Sequence, residues 1–167
     1  TGATTTSAAV SVTVNALSGS SVLSGNWKFD EASGNTVADG SGNARPLTLT
    51  NVTRVAGRSG QAGQFNGSNS SGSTTVPVIN TAQSFSISAW VNLSSLSGWR
   101  TIASQDGVSI SGFFLQFSQS LGNKFAFSMP ATDSSAQASI RALSIESPVE
   151  DQWYHVVGVR DVAAGNI

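Results

Sequence analysis

Apolar residues in this chain recur at every second position over short stretches, and nowhere at helical spacing over a sustained run. The clearest stretch is SFSISAWVNL, where Phe85, Ile87, Ala89, Val91 and Leu93 alternate with Ser84, Ser86, Ser88, Trp90 and Asn92. That period predicts a strand with one face in the core and one large aromatic on the other. Weaker alternations run through GWRTIAS, GFFLQFS, NKFAFSM and WYHVVGVR. Turns such as QDG and SLGN separate them, with Gly, Asn and Asp supplying the positive φ that tight turns need. Eight or more strands at this rhythm predict an all-β fold, a two-sheet antiparallel sandwich or jelly roll.

Near the start, Val10, Val12 and Val14 alternate with Ser11 and Thr13, and a Ser/Gly-rich spacer follows. Residues 1–17 therefore read as the final strand of a preceding Ig-like β module, or as the N-terminal strand of the main domain. On this reading 18–24 is a linker and 25–167 the main β-sandwich. Towards the end, Trp153–Arg160 reads as a strand and Asp161–Asn166 as the turn of a hairpin.

Composition narrows the class. Charged residues are 10% of the chain, against about 25% in an average domain, and Ser, Thr, Gly and Asn take their place. The net charge is −1 and the eight basic residues are scattered, so no positive stripe awaits a nucleic acid. No apolar run has the length of a bilayer-spanning helix, so membrane insertion is not expected. With no cysteine there is neither a disulfide nor a thiolate metal site. A polar, nearly uncharged surface of this style suggests a secreted or cell-surface bacterial protein. Asn51, Asn66, Asn69 and Asn92 head glycosylation sequons, which chance supplies readily in so Asn- and Ser-rich a chain.

Four segments in order, WKFDEASGNTVADGSGN, GQAGQFNGS, FSISAWVNL and WYHVVGVRD, resemble the landmarks of bacterial laminin G-like domains of the concanavalin A-like lectin/glucanase superfamily. The resemblance covers about residues 24 to 167 and implies a jelly roll of two antiparallel sheets, one of them concave. It also implies further strands after the 161–166 turn. On that reading the domain is C-terminally incomplete, and its late strands come from residues outside the sequence, from a cleaved second chain or from a neighbouring molecule. The function implied is a non-catalytic carbohydrate-binding or adhesion module of a larger bacterial protein, with a glycan or cell-surface partner. A structural spacer in a multi-domain enzyme or fibre, without a ligand of its own, is the alternative.

Candidate chemistry is sparse. Glucanases of this fold resemble one another in an E-x-D-x-E strand motif, because retaining hydrolysis needs two carboxyl groups about 5–5.5 Å apart; the motif is absent and no catalytic residue is assigned. His155 has the parity of Trp153, Val157 and Val159 and reads as a structural histidine in or near the core, since no nucleophile motif accompanies it. Trp27 and Trp153 read as core. In ADGSGNA the oxygens of Asp39, Ser41 and Asn43 alternate through a Gly-rich turn and could meet on Ca²⁺, with Asp30 a further ligand. Laminin G-like domains often hold a structural calcium; a plain Asx turn is the other reading of that turn. For a sugar, the rings to consider are Trp90 and Trp99, with Arg100, Gln105 and Asp106 near Trp99 in sequence. Burial under a loop or a neighbouring module is the competing reading for Trp90, and closing the end of the barrel that for Trp99.

Overall fold

The computed structural model describes residues 22–134 and 139–167, so the strand read at Val10–Val14 lies outside the described residues. Eleven strands and no helix are found among them: β1 Thr36–Val37, β2 Leu47–Thr50, β3 Thr53–Ala56, β4 Gln61–Gln64, β5 Ser71–Ser73, β6 Phe85–Asn92, β7 Trp99–Asp106, β8 Ser111–Ser118, β9 Lys124–Pro130, β10 Ser139–Leu143 and β11 Trp153–Arg160. All pairings are antiparallel. The sheets are β10-β9-β8-β7, β11-β6, β1-β2-β5 and β3-β4. The strongest alternations in the sequence became β6, β7, β8, β9 and β11.

The four-stranded sheet stacks against the β6–β11 pair, and the core lies between them. Leu115 pairs with Phe127 and Phe117 with Phe125, so the odd residues of β8 and β9 share one face. Phe113, Leu115, Phe127 and Met129 are buried there, each contributing about 1.5–3 kcal/mol of transfer free energy, and Phe85, Ile87 and Val156 close over them. The Phe85 ring lies 5.4 Å from Phe113 and 6.0 Å edge-on to Phe127. The SLGN turn joins β8 to β9 as expected, with Gly122 and Asn123 at φ 81° and 59°.

A bulge in β7 sets what the sheet shows on its second face. Thr101 pairs with Gln116, but it is Ala103, not Ile102, that pairs with Leu115. The extra residue, Ile102, packs on the core. Trp99, Thr101 and, beyond the bulge, Ser104 are thereby aligned with Ser118, Gln116 and Phe114 on the outward face.

On β11 the sequence reading is corrected. Tyr154, Val156, Gly158 and Arg160 take the inward positions, opposite Val91, Ala89, Ile87 and Phe85. Gly158 is buried because the Phe127 ring fills the place of its side chain. His155, Val157 and Val159 are therefore exposed, and Trp153 shares their outward face half-buried, so none of these four sits in the core. At the far end Asp161 and Asn166 exchange backbone hydrogen bonds of 2.9 Å around Gly165 at φ 70°, and Ile167 packs against the core.

The first half of the chain forms smaller sheets. Val37 and Leu49 are buried there, and Trp27, half-buried, donates its indole N–H to the Arg45 carbonyl at 2.8 Å. The described part of the expected linker is tied down, since Asn43 Nδ2 donates to the carbonyls of Leu23 and Ser24 at 2.9 and 3.3 Å. Arg54 on β3 pairs with Glu31 at 3.3 Å and lies over the Phe29 ring, which anchors the β3–β4 hairpin.

Candidate functional site

The five residues considered for a sugar do not gather. Trp99 opens β7 while Gln105 and Asp106 end it, six or seven residues along, which separates them by roughly 20 Å. Trp90 is on β6, in the other sheet. Three of the five have structural work. Gln105 Oε1 accepts the N–H groups of Val78 and Ile79 at 2.8 and 3.0 Å, and its Nε2 donates to the Ile79 carbonyl at 2.8 Å. This clasp holds Ile79 against the core. Asp106 accepts the Ser111 hydroxyl at 2.7 Å across the β7–β8 hairpin. Arg100 donates to the Trp99 carbonyl and the Ser97 hydroxyl at 3.0 and 3.1 Å.

Trp99 stands 47% exposed at one corner of the outward face of the four-stranded sheet. Cross-strand pairing places Thr101, Gln116, Ala126 and Leu143 in the next row, and Ser104, Phe114, Ser128 and Arg141 in the one after. Gln116 and Ser128 form a nearly buried floor, joined by a 3.4 Å hydrogen bond, while Thr101, Ser104 and Arg141 are exposed around it. The sequence reading missed Gln116, Ser128 and Arg141. The first two were visible as the polar positions of GFFLQFS and NKFAFSM; nothing local marked Arg141.

Trp90 is 52% exposed on the outer face of the β6–β11 pair, so no loop among the described residues buries it. His155 is its direct cross-strand partner and stacks on it, with centroids 5.1 Å apart and planes at 27°. The guanidinium of Arg58, from the turn between β3 and β4, lies 5.4 Å from the indole centroid. The indole is thus already in contact with two groups of the chain itself.

The calcium reading needs the oxygens of Asp39, Ser41, Asn43 and Asp30 to converge, and the donor set does not fit that. Asp39 Oδ1 accepts the backbone N–H groups of Asn26 and Ser41 at 3.0 and 2.9 Å, and Oδ2 accepts that of Arg45 at 3.1 Å. The Ser41 hydroxyl and these amides, working against desolvation, hold the Asp39 carboxyl well below the ordinary carboxylate range. Asn43 turns its NH₂ to Ser41 Oγ and the 23–24 carbonyls. Asp30 instead accepts the Gln61 N–H at 3.0 Å, and it lines a shallow cavity of about 370 Å³ together with Glu31 and Lys28. This is an Asx-type clasp that fastens 23–26 to 39–45. Among the described residues, no three of His, Asp or Glu cluster to hold a metal.

A similar clasp closes the β7–β8 turn. Asp133 accepts the N–H groups of Val108, Ser109 and Ile110 at 2.7, 2.8 and 2.9 Å, which lowers its pKa. Glu150 likewise serves a loop, accepting the Leu96 N–H at 2.9 Å. An open cleft of about 480 Å³ runs between β9–β10 and β11, past Phe125, Phe127, Leu143 and Val157. Its walls are mostly apolar, with Ser144, Glu146, Ser147, Tyr154 and His155 as the polar residues along it.

A family model, Laminin_G_3 of the Concanavalin A-like lectin/glucanases superfamily, matches residues 65–167, more than half of the chain. The chain belongs to this family. No curated protein and no solved structure matches it. The matched part of this laminin G-like domain holds β5 to β11, hence both tryptophan faces, while Arg58 and the Asp39 clasp precede it. Domains of this superfamily often bind carbohydrate or serve adhesion, and laminin G-like domains are commonly extracellular and generally non-catalytic. Among the described residues, no helix is long and apolar enough to cross a membrane.

Proposed function

We propose that this laminin G-like domain is a non-catalytic carbohydrate-binding module of a secreted or surface bacterial protein, serving adhesion, and that a pyranose docks at Trp99. The observation that carries the reading is the half-exposed indole at the corner of a sheet face rich in hydroxyl, amide and guanidinium groups. A pyranose has an apolar C–H face that stacks on such a ring and equatorial hydroxyls that need hydrogen-bond partners. Thr101 lies two residues along the same strand, near enough for those hydroxyls, while Ser104 and Arg141, in a farther row, would meet only further units of an oligosaccharide. Trp90 is the poorer platform, because His155 and Arg58 already contact its ring.

A glycan array probed with the full chain tests this. Hits are expected, and Trp99→Ala should weaken them at least about tenfold, or roughly 1.4 kcal/mol, without lowering the melting temperature. Silence across the array from folded protein would refute the reading and favour a structural spacer.

A further inference from the structure

The loop between β4 and β5 is closed by one side chain, that of Asn66. Its Oδ1 accepts the N–H groups of Ser68 and Asn69 at 2.9 and 3.0 Å and the Ser70 hydroxyl at 3.1 Å. Its Nδ2 donates to Asn69 Oδ1 at 2.8 Å, and its own backbone N–H to Ser70 Oγ at 2.7 Å. Residues 66–69 are exposed. The arrangement has the form of the clasps at Asp39 and Asp133, each of which takes three backbone N–H groups, but with an amide in place of their carboxylate.

Asn66–Gly67 is the only Asn-Gly pair in the chain. Without a side chain, Gly67 leaves its nitrogen open towards the neighbouring Cγ, and its φ of 70° disfavours any larger residue in the turn. Among the described residues the Gly67 N–H meets no acceptor. Once solvent takes its proton, this nitrogen is free to attack Cγ. The N–Cγ bond forms, negative charge gathers on Oδ1, and Nδ2 takes up a proton and leaves as ammonia. Two N–H groups and a hydroxyl already aimed at Oδ1 stabilise that charge, as fixed donors do wherever an oxyanion develops. Water then opens the cyclic imide. Addition at Cγ breaks the new bond, gives a proton to the Gly67 nitrogen and leaves aspartate; addition at the main-chain carbonyl leaves isoaspartate, with a methylene added to the backbone. The three donors polarise Cγ and so favour aspartate.

We propose that Asn66 is a site of spontaneous deamidation, at which the loop converts its own amide clasp into a third carboxylate clasp beside those of Asp39 and Asp133. The aspartate keeps all three donors and adds charge, and charge-assisted hydrogen bonds are roughly twice as strong as neutral ones. The bond from Nδ2 is lost, but Asn69 can turn its amide over and present its NH₂ to the new carboxylate. The loop shares no residue with the Trp99 face, so the two readings are tested separately.

The test is to incubate the full chain in mildly alkaline buffer and follow it by intact mass and by peptide mapping that separates aspartate from isoaspartate. Asn66 is expected to convert before any other asparagine. The share of aspartate should be at least about twofold higher than from the same chain held unfolded in urea. Ser70→Ala removes one donor and should slow conversion about threefold or more, and Gly67→Ala about tenfold or more. Asn66→Asp, made directly, should raise the Tm by about 2 °C at neutral pH. No conversion at Asn66, equal aspartate shares from folded and unfolded chain, or undiminished rates in Ser70→Ala and Gly67→Ala would overturn the proposal. So would an unchanged or lower Tm in Asn66→Asp, which needs neither of the other variants to fold.

Discussion

Gly158 offers the sharpest test of how β11 sits in the sandwich. A Cβ on this residue would stand 2.5 Å from Cδ2 and 2.6 Å from Cγ of Phe127, where carbon–carbon contacts prefer about 3.5–4.0 Å. In Gly158→Ala the ring or the strand must therefore retreat by about 1 Å. Phe127 is only 3% exposed and packs among Leu115, Met129, Phe113 and Phe85, so the retreat displaces core side chains. Overpacking of this sort costs about 1–3 kcal/mol. A value of about 2 kcal/mol translates into a fall of about 4–8 °C in Tm for a domain of this size. Thermal unfolding followed by circular dichroism, with urea titration alongside, measures both. Phe127→Leu removes the ring edge that meets the new methyl group, so the double variant should lose less than the two single variants summed, by about 1 kcal/mol. If Gly158→Ala melts within about 1 °C of the parent, the even positions of β11 do not face the core. The outward placement of His155 would then fall with them.

Two other predictions concern residues that were candidate ligands. Gln105→Ala removes three hydrogen bonds to Val78 and Ile79, at a net cost of about 2–3 kcal/mol in urea unfolding; a change below about 0.5 kcal/mol would refute the clasp. Asp39 has a carboxyl depressed below its unfolded value of 3.8, so the unfolded chain takes up the proton first as pH falls. The stability this group confers is complete above the unfolded value and is lost as pH drops below about 4 towards the folded value. The Tm gap between the parent and Asp39→Asn should accordingly narrow between about pH 6 and pH 3, and a gap that stays constant would refute the linkage. Chelator should leave the parent's Tm unchanged at neutral pH; a drop on chelation would reinstate the cation cage at Asp39, Ser41 and Asn43.

The strands that carry the domain were legible because a strand needs only its own side-chain period to declare itself. Phe85, Ile87, Ala89 and Val91 took the less exposed positions of β6 and the serines between them stayed out, as read. The odd phenylalanines of GFFLQFS and NKFAFSM likewise marked the inward face of β8 and β9. The short strands β1 to β5 and β10, two to five residues each, were harder to see, since so few residues are too short a run for a period to stand out. β11 has valines at 156, 157 and 159, on both faces, so its own pattern could not choose an inside.

The sites divide along the same line. Alternation alone marked Trp90 as an outward aromatic, because side-chain parity is a property of the local chain. Trp99 was visible only as a ring at a loop-to-strand junction. What stands beside each ring was beyond local reach. Gln105 and Asp106 are near Trp99 in sequence but at the far end of an extended strand, whereas Gln116 reaches its row by cross-strand register. Arg58 meets Trp90 from a different hairpin, and His155 meets it because the missing side chain of Gly158 lets Phe127 fill the inward side of β11. The sequence by itself determined an all-β chain and the alternation within its strands. The orientation of β11 and the company of each tryptophan were decided only by packing of the sheets, because inter-sheet contacts join residues whose separation along the chain leaves no local trace.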